Sequence, residues 1–277
     1  MINKQLPIDL VPIKFGRLWL TYRWTRYLLG SMLNLNVKGM MNSIRGIGIL
    51  VMLSVLELKR GSKPRICNLC GWKGNKFYPN LGSGYFDLNV TCPRCHSTNR
   101  YRSLVCILED QTEIFQNDKN VIEVSPIRGF EAYCLFRKNR INYISFDIER
   151  HAMEKGDITK MQFNDSSCDY FICFHVLEHV LRDDVAIEEI YRVLKPGGKA
   201  VLQVPIDYLI KETVEYGKPN IYETGHVRRY SEEGFMGIIK KKGFEINKIN
   251  VDKIFMDNEI IKYGLSCEPI FFAAKPK

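Results

Sequence analysis

Asp169-Tyr-Phe-Ile-Cys-Phe-His-Val-Leu-Glu-His-Val180, then Asp183-Asp-Val-Ala-Ile-Glu-Glu-Ile-Tyr-Arg-Val-Leu-Lys-Pro-Gly-Gly198 and Val201-Leu-Gln-Val-Pro205, is the stretch that decides the fold. Residues 170–174 are short, apolar and rich in aromatic and β-branched side chains, the pattern of a fully buried strand. Residues 176–194 then place Val176, Val180, Ile187, Ile190 and Leu194 on one helical face. The Pro-Gly-Gly turn stops that helix, and residues 199–204 supply the next apolar strand. Strand, amphipathic helix, turn and strand is the repeating unit of a parallel α/β sheet.

The same alternation extends in both directions. Upstream, residues 101–115 give a helical stripe of Leu104, Val105, Ile107, Leu108 and Ile114; strands follow at 121–124 and 143–147, with a helix at 130–139 between them. Downstream, a helix over 231–242 stops at Gly243, and two β-rich stretches, 244–251 and 270–275, follow without a full helix between them. The expectation is an α/β, doubly wound, mostly parallel Rossmann-like sheet with an antiparallel hairpin at its C-terminal edge, occupying residues 100–277.

Two segments precede it. Residues 64–99 are rich in Gly, Pro, Asn and Cys, which reads as turns and short strands organised by something other than a large apolar core. They contain Cys67-Asn-Leu-Cys70 and Cys92-Pro-Arg-Cys95, with 21 residues between the pairs. Two residues between cysteines let both sulfurs of a tight turn face one tetrahedral ion, and two such knuckles complete a four-sulfur Zn²⁺ shell, with His96 outside it. A closed thiolate shell leaves no open position, so this zinc holds structure. Residues 1–63 form a third segment, with Phe15, Leu18, Trp19, Tyr22 and Leu29 at helical spacing among basic residues. That pattern suits a helix packed on the catalytic domain; its alternative is a helix lying on an anionic membrane.

The chain of 277 residues is 45% hydrophobic and 26% charged, which is globular and excludes a disordered or low-complexity protein. Its net charge of +9 favours an anionic partner. Part of that excess lies between Asp9 and Glu57, where Lys14, Arg17, Arg23, Arg26, Lys38 and Arg45 are met by no acid. Paired rather than dispersed cysteines suit a reducing compartment, Pro7, Asp9 and Pro12 interrupt any signal-peptide pattern, and the apolar run 46–56 is too short to span a bilayer. A cytoplasmic protein, peripheral to a membrane at most, is expected.

In an open α/β sheet, ligands bind outside the carboxyl ends of the strands. Those ends here carry Glu123 and the loop Ser125-Pro-Ile-Arg-Gly129, then Asp147, then Asp157-Ile158, then Phe174-His175. Asp147 lies 24 residues beyond Glu123, the interval at which a second-strand acid can take both hydroxyls of a ribose; Asp157 and Ile158 then offer a carboxylate and an apolar wall to an adenine ring.

The stretch from Asp169 to Pro205 also resembles the fourth and fifth strand region of class I S-adenosylmethionine-dependent methyltransferases of the type 11 group, and the resemblance runs from about Asn120 onward. It implies S-adenosylmethionine as cofactor. Glu123 would orient the loop around the methionine ammonium, Asp147 would bind the ribose, Asp157 and Ile158 the adenine, and Phe174 or His175 the far face of the ring. The first loop departs from the family in holding one glycine, Gly129, where two or three are usual. A pyrophosphate would require those glycines; a methionine carboxylate requires only a helix N-terminus and a cation, for which Ser125 and Arg128 are placed. The pairing of a ribbon with this domain is similar to methyltransferases near polysaccharide biosynthesis, which implies transfer to oxygen on a sugar, glycan or other small molecule.

His179 is the candidate general base for an acceptor hydroxyl, or, with Glu178, a holder of a divalent ion; His226, in His226-Val-Arg-Arg229, is the second catalytic candidate, with Arg228 as a substrate contact. His175-Val-Leu-Glu178-His179 also spells the H-x-x-E-H zinc-peptidase pattern, but that chemistry needs both histidines on one long helix, and here the first ends a strand. Two rivals remain: an RNA base methyltransferase, which the basic charge and the ribbon favour but the missing Asn-Pro-Pro-aromatic motif does not, and a non-catalytic binding protein with a degenerate first loop.

Overall fold

The computed structural model describes residues 25–26, 28–37, 39–41, 44–45, 47–48, 64–81, 86–116, 118–136, 141–149, 152–220 and 225–277. Phe15, Leu18, Trp19 and Tyr22 of the aromatic stripe lie outside them; Leu29, inside, is 60% exposed.

Two small antiparallel hairpins come first: β1 (Arg65–Ile66) with β2 (Lys73–Gly74), and β3 (Tyr78–Leu81) with β4 (Phe86–Thr91). Helix α1 (Asn99–Gln111) leads into β5 (Lys119–Val124), α2 (Arg128–Phe136), β6 (Ile141–Asp147), β7 (Glu154–Lys155) and β8 (Cys168–Phe174). After a 3₁₀ turn (Leu177–His179) come α3 (Asp183–Val193), β9 (Leu194–Gln203), the hairpin β10 (Val214–Asn220) and β11 (His226–Arg229), α4 (Glu232–Lys241), β12 (Glu245–Ile249), the short α5 (Val251–Ile254) and α6 (Asp257–Tyr263), and β13 (Ile270–Ala274).

One seven-stranded sheet runs β12-β13-β9-β8-β5-β6-β7. Strands β7, β6, β5, β8 and β9 are mutually parallel, and β13 runs antiparallel to both β9 and β12. The expected hairpin is therefore present, with its antiparallel member one place in from the edge and two short helices in its connection. Alternation along the strands divides the core. Val121, Tyr143, Tyr170, Ile172, Phe174 and Val201 pack on one face with α1, α2 and the cysteine ribbon, whereas Ile122, Val124, Phe171, Cys173 and Leu202 pack on the other with α3 and α4. Helix α4 starts as its sequence indicates, with Ser231 accepting from the N–H of Gly234, and stops at Gly243, whose φ of +94° only glycine adopts readily.

The helix expected over 176–194 is shorter. His175 leaves β8 with φ +55°, Leu177–His179 make a 3₁₀ turn, and the α-helix begins only at Asp183. The reason lies 47 to 51 residues downstream. The buried guanidinium of Arg228 takes the carbonyls of Leu177, Val180 and Leu181, which a continuous helix would have used internally. Among the described residues, no helix is long and apolar enough to cross a membrane.

The ribbon shares its core with the sheet through a second guanidinium. Arg102 of α1 is fully buried over the ring of Phe77, 3.8 Å from its centroid, and donates to the carbonyls of Ser97 (2.8 Å), Tyr263 (2.7 Å) and Gly264 (2.9 Å). Replacing it by methionine, Arg102→Met, leaves the carbonyls of Tyr263 and Gly264 without this donor and Ser97 with the amide of Cys92 alone. A loss of about 2 kcal/mol or more is expected, roughly 1 kcal/mol per orphaned carbonyl, measurable as a lower denaturant midpoint.

Candidate active site and metal centre

Each Cys-x-x-Cys pair folds into the same turn. Gly71 and His96, the residues after each pair, both have positive φ (+71° and +60°), and their amides donate back to the carbonyls of Cys67 and Cys92. His96 thus occupies the turn position that glycine fills in the first knuckle, outside the sulfur cluster. The four sulfurs lie within 4.8 Å of one another, with Cys67–Cys95 and Cys70–Cys92 contacts of 3.6 Å. A tetrahedral shell with Zn–S bonds of about 2.3 Å places sulfurs roughly 3.8 Å apart, so donor set and spacing fit that ion. Burial and the neighbouring thiols push Cys92 and Cys95 well above the usual thiol range.

The ribbon abuts the first loop of the sheet domain. A Cβ on Gly129, at the start of α2, would sit 2.4 Å from the carbonyl oxygen of Cys95 and 3.2 Å from the amide of Ser97. The single glycine of this loop thus admits the second cysteine knuckle, a role the sequence did not disclose. Earlier in the loop Ser125 adopts φ +53°, with its N–H held by the carbonyl of Phe146. Arg128 is exposed at the α2 N-terminus.

Glu123 is fully buried in β5 and accepts from the hydroxyl of Tyr143. Burial pushes its carboxyl up to about 8, against the lowering effect of the Tyr143 and Tyr101 hydroxyls. Asp147 ends β6 almost fully buried and accepts from the amide of Glu149 at 2.8 Å. Asp157 caps its own turn through the amide and hydroxyl of Thr159, both at 2.8 Å, and Ile158 is buried beside it. Phe174 packs on Tyr101 in the core, with ring centroids 5.7 Å apart. The ring of His175 lies between Glu178 (3.1 Å) and Glu268 (3.2 Å), and Glu268 pairs in turn with Arg100. Burial opposes charge on His175 and Glu178, yet their mutual contact prevails, raising the imidazole and lowering the carboxyl from their ordinary values. Of the two rings, either of which is expected to face an adenine, Phe174 thus packs in the core and His175 lies in ion pairs.

Residues 47 positions apart converge beside Glu178. The rings of His179 and His226 meet edge to face at 4.8 Å, and one ligand atom from each, with a carboxylate oxygen of Glu178, all lie within 4.8 Å of one another. Arg228, nominated as a substrate contact, is instead structural: buried, it pairs with Glu215 and Asp183 and clamps the 3₁₀ turn to β11.

The donor set suits S-adenosylmethionine: a carboxylate at the end of β6 for a vicinal diol, a helix N-terminus with a cation for a carboxylate, and no glycine cradle for a pyrophosphate. The Glu123 carboxyl makes a specific prediction. A group with its folded pKa raised from 4.5 to about 8 favours folding fully below pH 4.5 and loses that contribution as pH climbs to 8. Glu123→Gln is therefore expected to flatten the fall in stability between those values, as measured by thermal unfolding across pH.

The methyltransferase domain family matches residues 112–202. A sterol 4-C-methyltransferase of Caenorhabditis elegans is 26% identical over 136 residues, 44% of this chain and 38% of that protein. A ubiquinone/menaquinone biosynthesis C-methyltransferase of Ruegeria sp. is 30% identical over 110 residues, 32% of this chain and 44% of that one. The chain thus spans less than half the length of either relative. Among solved structures, an S-adenosylmethionine-dependent methyltransferase from Mesorhizobium loti superposes with a TM-score of 0.44 at 11% identity, covering 62% of this chain and 97% of that one. The matched residues, about a third of the chain, hold the central parallel strands and their crossovers, and this is the segment that is similar to the methyltransferase domain family.

Proposed function

We propose that the chain transfers a methyl group from S-adenosylmethionine to an oxygen of a small-molecule or glycan acceptor. The observation that carries this reading is the convergence of Glu178, His179 and His226 at the carboxyl end of β8, one strand beyond β5 and two beyond the Asp147 end of β6. When bound, S-adenosylmethionine supplies an electrophilic methyl on a sulfonium. Asp147 holds the ribose hydroxyls, Asp157 and Ile158 border the adenine, and the α2 N-terminus with Ser125 and Arg128 takes the methionine carboxylate. The acceptor hydroxyl loses its proton at the Glu178–His179–His226 cluster as the methyl arrives, so alignment provides most of the rate and the cluster the remainder. The names of the two curated relatives favour transfer to carbon; two nitrogen bases beside a buried carboxylate favour an acceptor O–H. We also propose that Cys67, Cys70, Cys92 and Cys95 hold a structural Zn²⁺.

Calorimetric titration of S-adenosylmethionine is expected to give micromolar binding, weakened at least tenfold by Asp147→Ala. Absence of binding by the wild type would move the reading to a non-catalytic protein, and salt-sensitive RNA retention would move the acceptor to RNA. His179→Ala is expected to slow methyl transfer by about 10²- to 10⁴-fold with cofactor affinity retained. Metal analysis is expected to find one zinc per chain, lost together with cooperative unfolding in Cys92→Ser.

A further inference from the structure

Ser97 stands where the ribbon, α1 and α2 meet. It is fully buried, and its hydroxyl lies 3.3 Å from Sγ of Cys67 and 3.2 Å from Sγ of Cys95, so it touches one sulfur of each knuckle. Its carbonyl accepts from the amide of Cys92 at 2.9 Å and from Arg102 at 2.8 Å. Its amide nitrogen is one of the three atoms nearest to the place a side chain at Gly129 would occupy, and the other two belong to the carbonyl of Cys95. The second knuckle and α2 therefore meet backbone to backbone, with no flexible side chain between them. On its other side α2 is fixed as well: Phe130, fully buried, packs on Tyr101 of α1 with ring centroids 5.3 Å apart. Interiors packed this closely transmit a displacement instead of absorbing it.

We propose that the cysteine ribbon and the cofactor site are coupled: a metal held by Cys67, Cys70, Cys92 and Cys95 raises the affinity of the sheet domain for S-adenosylmethionine, and bound S-adenosylmethionine tightens the hold of the ribbon on its metal. This coupling rests on the cofactor and zinc readings given above. Its direction follows from the contact. Four sulfurs drawn onto one ion fix both turns, and with them the Cys95 carbonyl against which α2 begins. The N-terminus of α2, with Ser125 and Arg128, is the group given to the methionine carboxylate. A fixed knuckle presents it already in place, so that binding has less of the chain to order. Without the ion the two turns lose their common anchor, and the wall behind Gly129 is free to shift. Linkage makes the effect reciprocal, since the factor by which the metal improves cofactor binding is also the factor by which the cofactor improves metal binding.

The test titrates S-adenosylmethionine into the full chain by calorimetry, first with zinc in the ribbon and then after exchange of zinc for cadmium. Cadmium keeps four thiolate ligands but makes longer bonds to sulfur, which spreads the two knuckles without emptying the site. Affinity for S-adenosylmethionine is expected to fall about fivefold or more in the cadmium form, the lower end of ordinary coupling between sites, with an unchanged circular dichroism spectrum as the control for folding. In the reverse direction, saturating S-adenosylmethionine is expected to weaken the capture of zinc by a competing chelator by about the same factor. Gly129→Ala is expected to loosen both zinc and S-adenosylmethionine, although Gly129 is no metal ligand, because its methyl meets the Cys95 carbonyl. That variant can misfold, so the metal exchange in the unaltered chain is decisive. Equal affinity of the zinc and cadmium forms overturns the coupling and leaves the cofactor reading intact. Binding to neither form overturns the methyltransferase reading and the coupling with it.

Discussion

A buried guanidinium cannot be left short of acceptors, and Arg102 meets that demand by drawing together three parts of the chain that are far apart in sequence. Its donors end on Ser97 beside the second cysteine knuckle and on Tyr263 and Gly264 at the end of α6, while its own helix packs on the central sheet. The ribbon is consequently built into the core. With Arg102 satisfied, the knuckle is pressed against the start of α2 so closely that only Gly129 fits beneath the Cys95 carbonyl. The loop that follows the first parallel strand thus takes its shape partly from the second cysteine turn, a long-range constraint on a segment that in an open α/β sheet borders the ligand.

That constraint explains the unusual loop. With its glycine committed to the knuckle, the loop turns at Ser125, which tolerates φ +53° at a cost of about 1–3 kcal/mol, offset in part by the hydrogen bond from its amide to Phe146. Glycine scarcity here reflects packing against the ribbon, and a ligand without a pyrophosphate is compatible with it.

Much of the architecture was legible in residue patterns because it rests on local periodicity. The runs at Val121, Tyr143, Tyr170 and Val201 are apolar because both faces of a parallel strand are covered, and Ser231 and Gly243 bound a helix by capping chemistry that acts over three or four residues. The Cys-x-x-Cys pairs were legible for a similar reason, since tight-turn geometry sets which atoms meet. What escaped was set by partners distant in sequence. Valine and isoleucine spacing could not reveal that Arg228 would take three carbonyls and shorten the helix after His175, nor that Cys95 would press on Gly129. The resemblance implies Phe174 or His175 for the adenine; that the one ring packs on Tyr101 and the other lies between two carboxylates is not something the strand pattern names. The acid candidates fared differently, since Asp147 does stand at the carboxyl end of its strand, where the alternation placed it.

The two clusters of ligand-type residues differ in a way that follows from how each is held. The four cysteines sit in two self-contained turns, buried on all sides, and a cation there would have no position left for anything else. Glu178, His179 and His226 are held from behind, by His175 and Arg228, and remain open in front, where His179 is exposed. Support on one side and access on the other is the arrangement chemistry requires, because the groups must keep their geometry while a substrate enters.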